Sequence, residues 1–225
     1  MTFFRQIQGL LERTYAAVGV NFEECLISQG RCRELSALAH GAADLNPIGR
    51  TFLRIVDGKL HVAIWYHPSV IRILEEHHPA MEMSEANIRA LIVFLEELNH
   101  AVHAGLRFLE HRFDADSEEM LADLELQAKI DTYLTLELLV SSLRHGKRLT
   151  IRHRTWLRRS LFENESFDYA DARIRERYQS ANRLGLQFIQ HLHEQPARKR
   201  VSLIRNLRNK TYADKRSWIE SLSTQ

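Results

Sequence analysis

Cysteine and long apolar stretches are both scarce in this sequence. The two cysteines among its 225 residues, Cys25 and Cys32, are too few for the disulfide framework of a secreted protein. No segment approaches the roughly 20 consecutive apolar residues that a membrane-spanning helix needs. Residues 1 to 20 have the pattern of an amphipathic helix rather than of a signal peptide. We therefore expect a cytoplasmic protein with no membrane span.

The motifs of several common enzyme classes are missing as well. The sequence has no glycine-rich phosphate loop, no Gly-x-Ser-x-Gly motif and no Cys-x-x-Cys pair. Nucleotide hydrolysis, serine-hydrolase chemistry and a structural zinc ribbon are therefore disfavoured. The sequence also contains no internal repeat and no low-complexity tract.

What the chain does have is an uneven distribution of charge. Residues 1 to 143 contain 12 Lys and Arg against 21 Asp and Glu, whereas residues 144 to 225 contain 19 against 8. The formal charges of the two parts are therefore −9 and +11, which suggests that the basic part binds something acidic. Docking on the acidic part of the same molecule, or simple exposure to solvent, is favoured over a nucleic acid, an acidic protein partner or a membrane surface.

The hydrophobic periodicity predicts a mainly α fold, a bundle of about five to seven helices with one β-hairpin at about 50 to 66. Two β-rich runs at 50 to 56 and 60 to 66 flank Asp57-Gly58-Lys59, which has the chemistry of a tight turn. We expect residues 1 to 145 to form an acidic core and residues 146 to 225 a basic helical region packed on it in the same domain. Helices are predicted at about 3 to 18, 21 to 42, 68 to 76, 84 to 112, 117 to 145 and 167 to 193, with a short one around Trp156 and two short basic ones at the end.

The helix predicted at 84 to 112 carries the clearest chemistry. On a helical wheel its apolar residues define one core-facing direction, and Glu96, His100 and His103 share an arc of about 60° at the edge of that face. Spacings of three and four residues place these side chains one above another, where neighbouring pairs could bind one ion. Glu97 lies about 200° from the centre of the apolar face and is predicted to face solvent.

The helix predicted at 117 to 145 is apolar around its whole circumference, which predicts a central and buried element. Its polar residues then need hydrogen-bond partners, opposite charges or a metal ion. Antiparallel pairing with the preceding helix would bring Glu125 near the level of His100 to His103. A set of histidines and carboxylates suits zinc, iron or manganese better than calcium, although a purely structural network and a metal-free active site are the alternatives. The candidate metal ligands are Glu96, His100, His103, Glu125 and Asp131.

Two short resemblances attach to the same helix. Glu97-Leu98-Asn99-His100 is similar to the Glu-x-x-His signature of ferritin-like di-iron helices, which implies an oxidase. Glu96-Glu97-Leu98-Asn99-His100 resembles the zincin helix His-Glu-x-x-His with Glu96 at the first histidine, which implies a hydrolase. The zincin resemblance implies Glu97 as the general base and Glu96, His100 and Glu125 as ligands. Each covers about five residues and one distant carboxylate, and together they predict a metal-dependent hydrolase or oxidase.

The basic part suggests an alternative, a non-enzymatic module that binds nucleic acid or an acidic protein. Arg148 and His153 also have the Arg-x-x-x-x-His spacing of a class of helical ribonucleases, although a chance match is the favoured interpretation. The residues predicted to contact such a partner are Arg148, Arg152, His153, Arg154, Arg158, Arg159, Arg198, Lys199 and Arg200.

Overall fold

The predicted mainly α fold with one β-hairpin is confirmed by a computed structural model, which describes residues 2–38 and 48–222. Nine α-helices and two strands lie within those ranges, and none of these helices has both the length and the apolar composition that crossing a membrane requires. The elements are α1 (Phe3–Thr14), α2 (Gln29–Leu38), β1 (Gly49–Val56), β2 (Lys59–Tyr66), α3 (Pro68–Glu76), α4 (Ile88–Leu109), α5 (Glu118–Leu143), α6 (Ile151–Arg158), α7 (Ala172–Glu194), α8 (Ala197–Asn209) and α9 (Tyr212–Ser221).

The hairpin forms where its turn residues predict it. Strands β1 and β2 pair antiparallel, with Gly49 opposite Tyr66 and Val56 opposite Lys59. Asp57 and Gly58 both have positive φ, 49° and 71°, as a tight hairpin turn of this twist requires. The end of β2 is buried, and the Tyr66 hydroxyl donates to the backbone oxygen of Phe94 in α4 at 3.0 Å. The hairpin is thus fixed to one side of α4.

Helix α5 is the central element, as its all-round apolar sequence predicts. It packs between α4 and α7, and most of its length is buried. Gly185 of α7 permits the close approach, because a Cβ atom there would lie 3.3 Å from Phe162 Cε1 and 3.4 Å from Lys129 Cβ. One cluster of buried apolar side chains extends from Phe4 in α1 to Ile219 in α9. The basic helices therefore pack on the same core as the acidic ones.

Several helices are shorter than predicted. The first helix ends at Thr14, and the segment predicted at 21 to 42 contains a 3-10 turn, Phe22–Cys25, before α2 begins. Asp171 caps α7 by accepting a hydrogen bond from the Arg173 amide, so this helix starts at 172 instead of 167. The predicted end of the second helix near 42 lies outside the described residues.

Candidate functional site

A cleft of about 860 Å³ lies between β1, α4, α5 and the start of α7. Three of its ionisable groups come from α4, two from α5 and one from the connection that precedes α7. We call it the carboxylate cleft. Its ionisable residues considered below are Glu96, Glu97, His100, Glu125, Lys129 and Glu165.

Lys129 lies between two of these carboxylates. Its Nζ atom is 2.7 Å from Glu96 Oε1 and 2.8 Å from Glu165 Oε1, and its side chain is only 3% exposed. Burial lowers the pKa of Lys129, but the two carboxylates outweigh burial and raise it above the ordinary value. The single positive charge of Lys129 thus offsets one of the two negative charges of Glu96 and Glu165.

His100 and Glu125 face each other across the α4–α5 interface. His100 Nε2 lies 3.5 Å from Glu125 Oε2, and the two side chains are 14% and 12% exposed. The predicted alignment of the two helices at this level is therefore present in the structure. Tyr178 of α7 lies in the same cleft, and burial together with the nearby Glu125 charge raises the pKa of its phenol well above the ordinary value.

Glu97 does not face open solvent, which corrects the prediction from the helical wheel. Strand β1 covers this side of α4, and a Cβ atom on Gly49 would lie only 2.9 Å from Glu97 Cγ and 2.6 Å from Val93 Cγ1. Thr51 of the same strand donates to the Glu97 backbone oxygen at 2.9 Å. The helical wheel predicts one buried face for α4. In the structure the hairpin packs on the opposite side of this helix and buries a second face. Glu97 is therefore partly enclosed at the edge of the cleft.

This enclosure changes the acidity of Glu97. Burial raises the pKa of the carboxyl from 4.5 to about 7; His100 and Thr51 oppose the rise, while Glu125 and Glu96 add to it. A carboxyl with this pKa is partly protonated and partly ionised near neutral pH. General acid–base chemistry requires a group with a pKa in this range.

The raised pKa of Glu97 predicts a pH dependence of stability. The unfolded chain releases this proton near pH 4.5 and the folded chain near 7, so the stabilisation from the protonated form is complete at low pH and is lost as pH rises through 7. Glu97→Gln should therefore be more stable than the wild type at about pH 8, by about 1–3 kcal/mol, and should match it near about pH 5.

Urea denaturation followed by circular dichroism at both pH values checks this. Glu163→Gln is the matched control, because Glu163 is exposed and pairs only with Arg159 at 3.5 Å in the described contacts. An equal pH response in the wild type and in Glu97→Gln would contradict the assigned pKa.

His103 and Asp131 belong to a different cluster, below α1. His103 Nε2 is 2.6 Å from Asp131 Oδ2, and the Tyr15 hydroxyl donates to Asp131 Oδ1 at 2.6 Å. Gln127 Nε2 also donates to Asp131, at 3.1 Å. Burial lowers the pKa of His103, although the hydrogen bond and charge of Asp131 oppose this. These side chains are satisfied by one another inside the protein.

The structure thus divides the five predicted metal ligands among three separate contacts. Glu96 binds Lys129, His100 faces Glu125, and His103 binds Asp131. In residues 2–38 and 48–222, no group of three or more His, Cys, Asp or Glu side chains is arranged to hold a metal ion. The two α5 ligands differ by six residues, or about 240° around the helix, so they point to different sides at any level. Metal binding stays a prediction.

The predicted partner-binding residues also fall into two sets. Five contact other residues of the chain: Arg154 contacts Glu137, Arg158 contacts Thr155, Arg159 contacts Glu163 on the surface, His153 contacts Thr150, and Arg200 contacts the backbone of His193 and Gln195. Four others are exposed near the starts of α6 and α8, where a nucleic acid or an acidic protein stays the predicted partner. These are Arg148, Arg152, Arg198 and Lys199.

Three residues of the cleft were absent from the sequence prediction. The role of Lys129 could have been predicted from the sequence, because a lysine on a helix predicted to be buried needs carboxylate partners. Glu165 lies in an irregular segment, and Tyr178 reads as a packing residue of α7, so neither had a signal of its own.

Comparisons of the chain with protein-family models, curated proteins and solved structures found no match. Function therefore has to be argued from the chemistry of the cleft itself.

Proposed function

We propose that the carboxylate cleft is an active site that binds a small cationic ligand and exchanges a proton with it through Glu97. The observation that carries this proposal is a carboxyl with a pKa of about 7 beside an open cleft of about 860 Å³. Volumes of about 300–1,000 Å³ are typical of sites for small molecules and cofactors.

The charge of the cleft favours a cation. Lys129 offsets only one of the two charges on Glu96 and Glu165, so this pair keeps a negative charge beside Glu97 and Glu125 that can attract a ligand. Glu165 Oε2 is buried without a hydrogen-bond partner among the described contacts. Of the arginines around the cleft, Arg173 is paired with Asp171 and Arg177 with Glu118. Arg50 and Arg89 bond to the neutral Ser36 hydroxyl and Asn164 backbone oxygen and keep their charge. Across the whole lining, seven carboxylates still outnumber Lys129 and the four arginines, which leaves a net negative charge.

The walls of the cleft suit an organic ammonium group. Phe52, Phe113, Tyr169 and Tyr178 line it, and the two tyrosine rings are stacked with centroids 4.7 Å apart. Aromatic faces attract ammonium groups, which are held most strongly where water is excluded. A divalent metal ion is the other source of positive charge, and the imidazole and carboxylate of His100 and Glu125 suit zinc, iron or manganese.

Glu97 would act as the general base of the reaction and return the proton as general acid. This role is the same for both cation sources, so a metal-dependent hydrolase or oxidase is one form of the proposal and a metal-free enzyme acting on an amine is the other. The two free cysteines suit a cytoplasmic location for either form.

Isothermal titration of the full chain with zinc chloride, manganese chloride and agmatine tests the proposal. We expect at least one probe to bind, with affinity rising about tenfold between about pH 6 and about pH 8 as Glu97 ionises. Glu97→Gln should remove that rise, and Glu125→Gln should weaken binding about tenfold or more.

The identity of the binding probe decides between metal and amine. Glu163→Gln serves as the control, because it removes a nearby exposed carboxylate outside the cleft and should leave binding unchanged. Absence of binding by all three probes up to about millimolar concentration, or identical pH profiles for the wild type and Glu97→Gln, would overturn the proposal.

A further inference from the structure

A second cavity, of about 630 Å³, lies between α1, α5, the start of α6 and the start of α8. On α5 it is lined by Asp131, Leu134 and Leu138, whereas Glu125 and Lys129 line the carboxylate cleft. Lys129 and Leu138 are nine residues apart, or about 180° around the helix. The two cavities therefore lie on opposite sides of α5, and the second one is independent of the proposed active site.

The walls of this second cavity are mainly apolar. Leu10, Leu134, Leu149 and Ile204 line it together with Leu138 and Val201. Leu138 is 52% exposed and Val201 is 50% exposed, so two large apolar side chains of the lining reach the surface. Apolar side chains grouped at an open cavity are typical of a binding site, whereas scattered ones are ordinary surface.

Three arginines, Arg148, Arg154 and Arg200, also line the cavity, which we call the arginine cavity. Arg200 donates through Nε and one terminal nitrogen to the backbone oxygens of Gln195 and His193, each at 3.0 Å. These bonds fix its guanidinium and leave donors of the other terminal nitrogen for a ligand. Nε of Arg154 is buried and lacks a hydrogen-bond partner among the described contacts, lying 3.5 Å from Glu137 Oε1.

The acidic groups that line the arginine cavity are occupied by other partners. Asp131 accepts from Tyr15 and Gln127 and contacts His103. Glu137 Oε1 lies 3.0 Å from His193 Nε2. Glu137 Oε1 has no hydrogen bond among the described contacts, just as Arg154 Nε has none. The lining nevertheless has three arginines against two carboxylates, and this excess of positive charge favours an anion in the cavity.

We propose that the arginine cavity binds a single-chain amphipathic carboxylate, such as a fatty acid. Its carboxylate would contact Arg148, Arg154 and Arg200, because guanidinium groups bind carboxylates with strong charge-assisted hydrogen bonds. Its alkyl chain would lie along Leu134, Leu138 and the other apolar walls. A ligand with both a carboxylate and an alkyl chain matches a lining that combines three arginines with several leucines.

Calorimetric titration of the full chain with decanoate, decanol and acetate tests this proposal. Decanoate should bind about tenfold or more tightly than decanol, and acetate should show no measurable binding at the same concentrations. Arg154→Gln should weaken decanoate about tenfold and leave decanol unchanged. Val201→Glu places a negative charge at the exposed mouth and should weaken decanoate as well, without disturbing the core.

Arg152→Gln is the matched control, because Arg152 is an exposed arginine of α6 that does not line the cavity. Equal affinity for decanoate and decanol, equal loss in Arg152→Gln and Arg154→Gln, or no decanoate binding up to about millimolar concentration would overturn the proposal. Binding to anionic phospholipid vesicles without binding of monomeric decanoate would also overturn it, in favour of a membrane surface. Unchanged decanoate binding by Glu97→Gln is expected, because that residue lies in the other cavity.

Discussion

Replacing Lys129 with methionine should lower the free energy of unfolding by about 3–5 kcal/mol. The substitution removes the only positive charge between Glu96 and Glu165 in the described structure, where both carboxylates are within 2.8 Å of the ammonium and only 19% exposed. Two partly buried carboxylates would then repel each other without a counter-charge. Urea denaturation at neutral pH measures the loss.

A triple variant separates the charge effect from the loss of packing. Lys129→Met combined with Glu96→Gln and Glu165→Gln removes all three charges, and it should recover most of the lost stability, because neutral groups of similar size replace a buried ion network at little cost. Lys147→Met is the control at an exposed lysine. A triple variant as unstable as the single one would show that the packing of the lysine side chain, and not its charge, is what matters.

Asp123→Asn should be equally damaging, with a loss of about 3–5 kcal/mol. Asp123 Oδ1 is 2.6 Å from Lys215 Nζ, and its Oδ2 is 2.7 Å from a terminal nitrogen of Arg107. The lysine is fully buried and the arginine side chain is 4% exposed, so the substitution leaves two cations together in the core. Burial already lowers the pKa of Lys215 to about 8, even with Asp123 opposing this effect.

The damage should concentrate at the C-terminal helices. Arg107, which Asp123 holds, donates to the backbone oxygens of Arg208 at 2.7 Å and Lys210 at 3.2 Å, where α8 joins α9. Limited proteolysis of Asp123→Asn should therefore cut near this junction before the rest of the chain. Asp116→Asn changes an exposed aspartate and is the control. Uniform cleavage along the chain, or stability equal to the control, would contradict the role assigned to Asp123.

The Asp123 contacts also predict a loss of stability in acid. Burial raises the pKa of Asp123, but Lys215 and Arg107 outweigh burial and hold it below the ordinary value of 3.8. A carboxyl with a lowered pKa stabilises the fold above the unfolded pKa and loses this contribution as pH falls through the folded one. The Asp123 contribution is therefore complete at neutral pH and disappears only in strong acid.

Local sequence signals were sufficient for much of the fold. The turn at Asp57-Gly58 sets the register of the hairpin, and Pro68 at the first turn of α3 and Ser117 before α5 mark helix starts that the structure reproduces. The all-round apolar character of α5 correctly indicated its central position. Each of these signals depends on neighbouring residues in the chain, so no knowledge of tertiary contacts was needed.

The candidate site was less predictable because its partners are distant in sequence. Antiparallel alignment of the two helices predicts that Glu125 lies near the histidines, but it cannot show that Lys129 lies between Glu96 and Glu165. It also cannot show that β1 covers Glu97, since nothing in α4 encodes which element packs on its second face. The position of a residue along the helix axis could be predicted from the sequence. The neighbouring element that its side chain faces could not.

The covering of Glu97 by the hairpin makes the acidity of this residue depend on a docking equilibrium. A two-stranded hairpin is at best marginally stable alone, so β1 and β2 keep their position through their contacts with α4. If the hairpin lifts, water reaches Glu97 and the pKa of its carboxyl returns toward 4.5. At neutral pH such an opening releases a proton from each molecule in which Glu97 is protonated. Amide hydrogen exchange in β1 and the titration of Glu97 therefore both report the lifting of the hairpin from α4.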